Sequence, residues 1–148
     1  MKNYVLLLAL ISYCFGCGGP KSSTETGAEV DPADQIEGVW RLTKVTMTSP
    51  DTTTVTTEFE HPSHKILSGD RWSFGYQVDD STIMAGGGTF TFDGETYTEN
   101  IEYHSVSGVV GQSISFDIDL DSNTWHHVGT ISTDDGETTL DEIWVRAE

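Results

Sequence analysis

Residues 112–120, QSISFDIDL, constrain the fold more than any other stretch of this chain. Ile114, Phe116, Ile118 and Leu120 point one way, while Ser113, Ser115, Asp117 and Asp119 point the other. A strict period of two is the mark of a strand with one dry face and one wet face. From Ile36 onward the rest of the chain reads in the same way. Residues 38–48 (GVWRLTKVTMT) alternate and are rich in β-branched side chains, and a second strand over 52–59 follows the turn cluster Ser49-Pro50-Asp51. Residues 71–78 set Trp72, Phe74, Tyr76 and Val78 on one face. Residues 88–92 lead into Asp93-Gly94, a strong hairpin signal, and 95–103 return. Asp121-Ser122-Asn123 turns the chain into 124–132, Asp134-Asp135-Gly136 turns it again, and 138–147 closes. Residues 61–68 are open to either a short helix or a loop, and the glycines 86–88 suit a bend or a bulge where strands cross closely. About eight hairpin-linked strands avoid exposed edges best by closing on themselves, so the expected class is all-β, an antiparallel up-and-down barrel of eight strands.

The front of the chain is built differently. Lys2 gives a positive start, residues 4–12 (YVLLLALIS) are apolar, and small residues follow, the plan of a secretory signal. The run is shorter than the roughly 20 apolar residues of a membrane helix, so cleavage is expected. The only cysteines are Cys14 and Cys17. Cys17 after Gly16 resembles the lipid-attachment cysteine of bacterial lipoprotein signals, although Cys14 stands three positions earlier where the common pattern has leucine. The resemblance implies a signal peptide over 1–16 and lipid on Cys17. Residues 17–35 are polar and rich in Gly, Ser, Thr and acids, a composition that reads as a flexible tether. The folded domain is then 36–148, and no disulfide framework is available to it. Gly18 after the cysteine is compatible, by analogy with lipoprotein sorting, with passage to an outer membrane, so the expected location is the bacterial cell envelope.

Charge excludes one class of partner. With 24 acidic and 7 basic residues and a net charge of −17, the chain lacks the clustered cations that nucleic acid requires. The same charge would be repelled by an anionic leaflet, so attachment to a membrane has to come from a lipid or an apolar segment rather than from a basic patch.

Gly38-Val39-Trp40 near the start of the first strand resembles the Gly-x-Trp signature of lipocalins and their calycin relatives. Those families also carry a basic residue near the last strand, and Arg146 holds the comparable place. The resemblance implies that Arg146 lays its guanidinium across the Trp40 indole at the closed end of the barrel, a cation–π contact. Residues 86–91 and 93–99, with Trp125-His126-His127-Val128-Gly129 and Glu142-Ile143-Trp144-Val145-Arg146, are similar to small bacterial lipocalin-like domains that occur in secreted or lipoprotein form. That similarity spans 36–148 and implies a lipocalin-like barrel, with ligand binding following from fold analogy alone.

Parity within the strands nominates what faces the interior. Tyr97, Glu99, Ile101 and Tyr103 share a row, as do Trp125, His127, Gly129 and Ile131, and Glu142, Trp144 and Arg146 form a third, against which Ile143 and Val145 compete to face inward. A carboxylate such as Glu99 in an apolar row is costly unless paired or wet. One reading places Glu99, His127 and Glu142 as polar anchors in a cavity walled by Trp72, Phe74, Tyr76, Tyr97, Tyr103 and Trp125. Two carboxylates would disfavour a fatty-acid anion and suit a small apolar or amphipathic ligand that is neutral or cationic. The other reading fills the barrel, with Glu99 and His127 paired to each other or to Arg146.

No chemistry beyond binding is expected. His126 and His127 are adjacent and face opposite ways, and His61, His64 and His104 lack ligand spacing, so neither a metal nor another cofactor is expected. Residues 117–128 superficially resemble a calcium loop, but Ser122 stands in place of the glycine and Val128 in place of the final glutamate. Residues 111–115 lack the closing glycine of a hydrolase elbow, and no phosphate-binding glycine pattern occurs. The expected function is therefore a non-enzymatic, lipid-anchored barrel that binds a small molecule. The alternative is an adaptor that docks an envelope protein through its acidic exterior.

Overall fold

The computed structural model describes residues 31–133 and 136–147. The signal segment, Cys17 and most of the tether lie outside the described residues. The last part of the stretch read as tether is helix α1 (Pro32–Ile36), where Asp31 accepts a hydrogen bond from the Ala33 N–H at 3.0 Å and Pro32 opens the first turn. Ile36 is fully buried, and the carbonyl at Ile36 accepts the Trp40 indole N–H at 2.8 Å, so this turn of helix is held by the barrel rather than by its own propensity. Among the described residues no helix is long and apolar enough to cross a membrane.

Among the described residues nine antiparallel strands follow: β1 (Gly38–Ser49), β2 (Thr52–Thr56), β3 (His64–Ser68), β4 (Arg71–Gln77), β5 (Ile83–Phe92), β6 (Thr96–His104), β7 (Ser113–Leu120), β8 (Thr124–Thr133) and β9 (Gly136–Arg146). Eight of them close a ring, since β3 to β9 pair in sequence and β1 pairs with both β3 and β9. The chain is thus a closed eight-stranded antiparallel barrel.

Its membership differs from the sequence reading in one place. Strand β1 gives residues 38–41 of one edge to β3 and residues 45–49 of that edge to β2, while its other edge pairs with β9 over 40–48. The second member of the ring is therefore β3, within the stretch open to helix or loop, and β2 is a short ribbon laid on the outer half of β1. The cause is composition. The TTTVT of β2 is mostly exposed and has no apolar face to bury, whereas β3 turns Lys65 and Leu67 inward and His64, Ile66 and Ser68 outward. A lysine in the inward row had disguised the alternation.

One end of the barrel is shut by the Gly-x-Trp unit. The Arg146 guanidinium carbon lies 4.3 Å from the centre of the Trp40 ring. Its nitrogens donate to the carbonyls of Ser122 at 2.8 Å, Glu37 at 2.7 Å and Gln35 at 2.7 Å, tying the last strand to α1 and to the β7–β8 turn. Gly38 has φ +128°, and a Cβ there would sit 2.7 Å from an Arg146 nitrogen, so the motif needs glycine for both conformation and room. Beneath this seal Trp40 and Trp125 meet edge to face at 5.6 Å, and Tyr97 meets Trp125 at 5.0 Å.

Candidate functional site

Above the aromatic floor the barrel is hollow. The cavity has a volume of about 500 Å³, within the range of small-molecule sites. Its walls carry Val45 and Met47 from β1, Phe74 and Tyr76 from β4, Met84 from β5, and Ile131 and Leu140 from β8 and β9. Two connections arch over it: the β2–β3 link contributes Phe59 and Ser63, and the β6–β7 loop contributes Val106 and Val109. Val109 is only 2% exposed. Its loop is pinned by the Gln112 amide, which donates to the carbonyls of Gly108 at 2.6 Å and Ser132 at 2.8 Å.

The sequence-nominated residues separate into three groups. Trp72, Phe74, Tyr76, Glu99 and Glu142 line the cavity. Tyr97, Trp125 and His127 point inward but are completely buried below it, as part of the floor. Tyr103 is on the outside, half exposed, beside Trp72, Arg71 and Glu102 in a shallow surface depression. The last placement corrects the parity argument. Between Gly87 and Gly88 the β5–β6 register slips, with Gly88 opposite Ile101 and Gly87 opposite Tyr103. One extra residue, Glu102, reverses every later side chain of β6. Tyr103 goes out, and His104 turns into the cavity, where its ring lies 5.4 Å from that of Phe74. The glycine run is the bulge anticipated at 86–88: a Cβ on Gly88 would collide with the Asn100 carbonyl oxygen and crowd the Glu102 N–H.

A polar layer separates floor from cavity. The Lys65 ammonium is buried and hydrogen-bonded to Glu99 Oε1 at 2.8 Å. It lies 4.9 Å from the ring centre of Trp144, 5.1 Å from Trp125, 5.5 Å from Trp72, 5.6 Å from Tyr97 and 5.9 Å from Phe116. Five ring faces and one carboxylate thus replace the water that a buried ammonium loses. Beside this pair, His127 Nε2 is 2.6 Å from Glu142 Oε2, and the Trp144 indole N–H donates to the same oxygen at 3.1 Å. The His127 ring stacks on Phe116 at 4.4 Å. Neither pairing expected of Glu99 and His127 occurs: Glu99 takes Lys65, His127 takes Glu142, and Arg146 is engaged at the sealed end.

The charge of this layer follows from burial and partners. Complete burial, with the Lys65 charge adding to it, holds His127 below the usual imidazole value despite the pull of Glu142, so the ring is neutral at pH 7 and donates Nε2–H. Burial opposes ionisation of Glu142, but the hydrogen bond from His127, the Lys65 charge and the Trp144 N–H outweigh it and hold the carboxyl below its usual range. Lys65 and Glu99 sum to zero. The layer therefore carries one net negative charge, on Glu142.

Lys65 was the residue that sequence reasoning missed, and elimination could have narrowed the choice to Lys65 and Lys44, which only the register shift between Leu42 and Lys44 separates. Glu99 in an apolar row demands a cation. Beyond the tether the basic residues are Arg41, Lys44, Lys65, Arg71 and Arg146. Arg41 and Arg71 neighbour inward tryptophans and so face out, and Arg146 serves Trp40. Among the described residues no group of three or more His, Cys, Asp or Glu is placed to hold a metal ion.

Comparison with known proteins agrees with this architecture. Residues 35–148 match the family model described as a domain of unknown function, DUF4488. The chain belongs to the DUF4488 family. No curated protein matches it. Among solved structures, a lipocalin-like protein from Bacteroides uniformis ATCC 8492 superposes with a TM-score of 0.52 at 13% identity, covering 76% of this chain and 99% of that one. Bovine odorant-binding protein, in complex with a selenium-containing odorant, superposes with a TM-score of 0.50 at 18% identity over 78% of this chain and 73% of the bovine one. The likeness is one of fold, and this DUF4488 domain is a lipocalin-like barrel.

Proposed function

We propose that this DUF4488 domain binds one small apolar or amphipathic ligand, neutral or cationic, in the hollow half of its barrel, without catalysing a reaction. One observation carries the reading: a half-open cavity of about 500 Å³, largely apolar on its walls, ends on a polar layer held by the Lys65–Glu99 and His127–Glu142 pairs. Such a layer orients a ligand without having to rearrange. Its single negative charge works against carboxylate ligands, because a second anion in a low-dielectric interior would be unpaired. The odorant held by the bovine relative in fold supports ligand binding in general terms.

The experiment is titration with a neutral fluorophore, N-phenyl-1-naphthylamine. A saturable rise in emission at one site per chain is expected, lost in Leu140→Trp, whose indole would occupy the cavity. Absence of saturable uptake in the wild type would remove the proposal.

Anchoring belongs to the same proposal. A lipid on Cys17 would hold the barrel at the cell envelope, on an outer membrane, with residues 18–30 as spacer. Its support is the three-part leader, the small residue before Cys17 and the polar composition that follows. Intact mass of protein taken from the membrane fraction should exceed that of unmodified residues 17–148 by an acylated glyceryl group, an addition that Cys17→Ser should lack. Equal masses would end the anchoring reading and leave the cavity reading untouched.

A further inference from the structure

We infer that the cavity is built for an organic monocation, an amine carrying a compact apolar body, and that Glu142 is its seat. The inference rests on the ligand-binding reading above and narrows it.

The two oxygens of Glu142 are used unequally. Oε2 receives both His127 Nε2–H at 2.6 Å and the Trp144 indole N–H at 3.1 Å. Oε1 receives no donor from the described residues, and the side chain, 14% exposed, lines the cavity. A buried carboxylate with one oxygen anchored and the other free on a cavity wall is a preorganised acceptor for an N–H donor. Nearby charges favour a cation there. Lys65 is neutralised by Glu99, His127 is neutral, and the Tyr76 phenol, pushed up from its ordinary value first by burial, is raised further by the negative field of Glu142. An incoming ammonium brings the interior to neutrality, a neutral ligand leaves it at one negative charge, and an anion doubles that charge.

The walls suit the same ligand. Trp72, Phe116 and Trp144 border the cavity and also lie around the Lys65 ammonium, so this part of the barrel already holds one alkylammonium by ring faces plus a carboxylate. Phe74 stacks on Trp72 at 6.1 Å and continues that aromatic wall toward Tyr76. An ammonium at Glu142 Oε1 would carry its apolar body along this wall toward Leu140 and Val109.

Three ligands of one shape provide the test: 4-phenylbutylamine, 4-phenylbutan-1-ol and 4-phenylbutanoate, each displacing N-phenyl-1-naphthylamine from the purified full chain. The amine should displace the fluorophore at a concentration about tenfold below the alcohol, the difference between a charge-assisted and a neutral hydrogen bond, and the acid should be weakest. In Glu142→Gln the amine-to-alcohol ratio should fall to within about threefold. In Asp117→Asn, which removes an outward carboxylate, the ratio should persist, separating the seat from the general pull of an acidic surface. The Trp144 indole N–H resonance should move on adding amine to the wild type, a readout independent of any variant's stability. An alcohol or acid binding as tightly as the amine, a preference surviving Glu142→Gln, or an unmoved Trp144 resonance would overturn the inference while leaving ligand binding intact. Failure of the fluorophore itself to bind would instead remove the reading beneath it.

Discussion

Strand β1 contributes Trp40 to the lower half of the barrel and Val45 and Met47 to the upper half, and the two halves are filled differently. Below the polar layer, the inward positions hold Trp40, Tyr97 and Trp125, all fully buried, with Phe116 and Trp144 just above them. Above it, the corresponding positions hold Val45, Met47, Ile131, Thr138 and Leu140 around open space. An eight-stranded ring has an interior that bulky side chains can just fill. Two differences separate the ends: the strands β1, β8 and β9 carry large inward side chains below the layer and smaller ones above it, and β3 pairs with β1 only over residues 38–41, on the packed side, giving way to β2 toward the cavity. All four tryptophans of the chain lie in the floor or at its boundary.

The boundary itself offers the largest expected effect. Replacing Lys65 with methionine keeps most of the packing but leaves Glu99 buried without its cation, and breaking a buried pair in this way costs about 3–5 kcal/mol. Lys65→Met combined with Glu99→Leu should recover most of that loss in urea unfolding. A single mutant that loses under about 1 kcal/mol would mean that Glu99 is hydrated from the cavity, and the sharp division between the halves would fail.

Next comes a matched deletion on either side of the layer. Leu67 is 2% exposed in the packed half, so Leu67→Ala should cost about 2–5 kcal/mol by removing buried methylenes and leaving a void. Leu140 borders space that already exists, so Leu140→Ala adds little new void and should cost about 1 kcal/mol. Equal losses in thermal or urea unfolding would show that the upper half is packed in solution.

This division also explains what could be read before the structure. Strand β7 and the turns at Asp93 and Asp121 were legible because each is local or depends on uninterrupted alternation, whereas the Trp40–Arg146 contact, between residues far apart in the chain, came from the family resemblance, and the turn read at Asp134-Asp135 lies outside the described residues. The barrel end sealed by Arg146 formed as the family resemblance implied. The cavity was harder, because its lining depends on breaks in alternation. The bulge at Glu102 exchanged Tyr103 for His104, and the register shift between Leu42 and Lys44 set Val45 and Met47 on the cavity wall. Strand β3 was hidden by Lys65, whose inward position makes sense only once Glu99, distant in sequence, stands opposite it. Parity along a strand is a local property, whereas the partner of a buried charge is a tertiary one.

The smallest effect compares two turns of the same kind at opposite ends of the barrel. Asp121, between β7 and β8, accepts the N–H groups of Asn123 at 2.8 Å and Thr124 at 2.7 Å, while Asp79, between β4 and β5, accepts those of Ser81 at 2.8 Å and Thr82 at 2.9 Å. Backbone hydrogen bonds, first from Asn123 and from Ser81 respectively, hold both carboxyls below their ordinary value of 3.8. A folded-state value depressed in this way stabilises above the unfolded value and ceases to do so as pH falls through the folded one. Alanine at either site should therefore lower the melting temperature at pH 7 by less than any change above, with the deficit shrinking from about pH 4 downward. The two should still differ. The Asp121 turn presents the Ser122 carbonyl to the Arg146 side chain and the Asn123 carbonyl to its backbone N–H, so loosening it also loosens the seal over Trp40. The Asp79 turn carries no such load. Asp121→Ala should accordingly be the more damaging of the pair and should also speed hydrogen exchange of the Trp40 indole N–H, and identical behaviour of the two variants would break the link between this turn and the packed end.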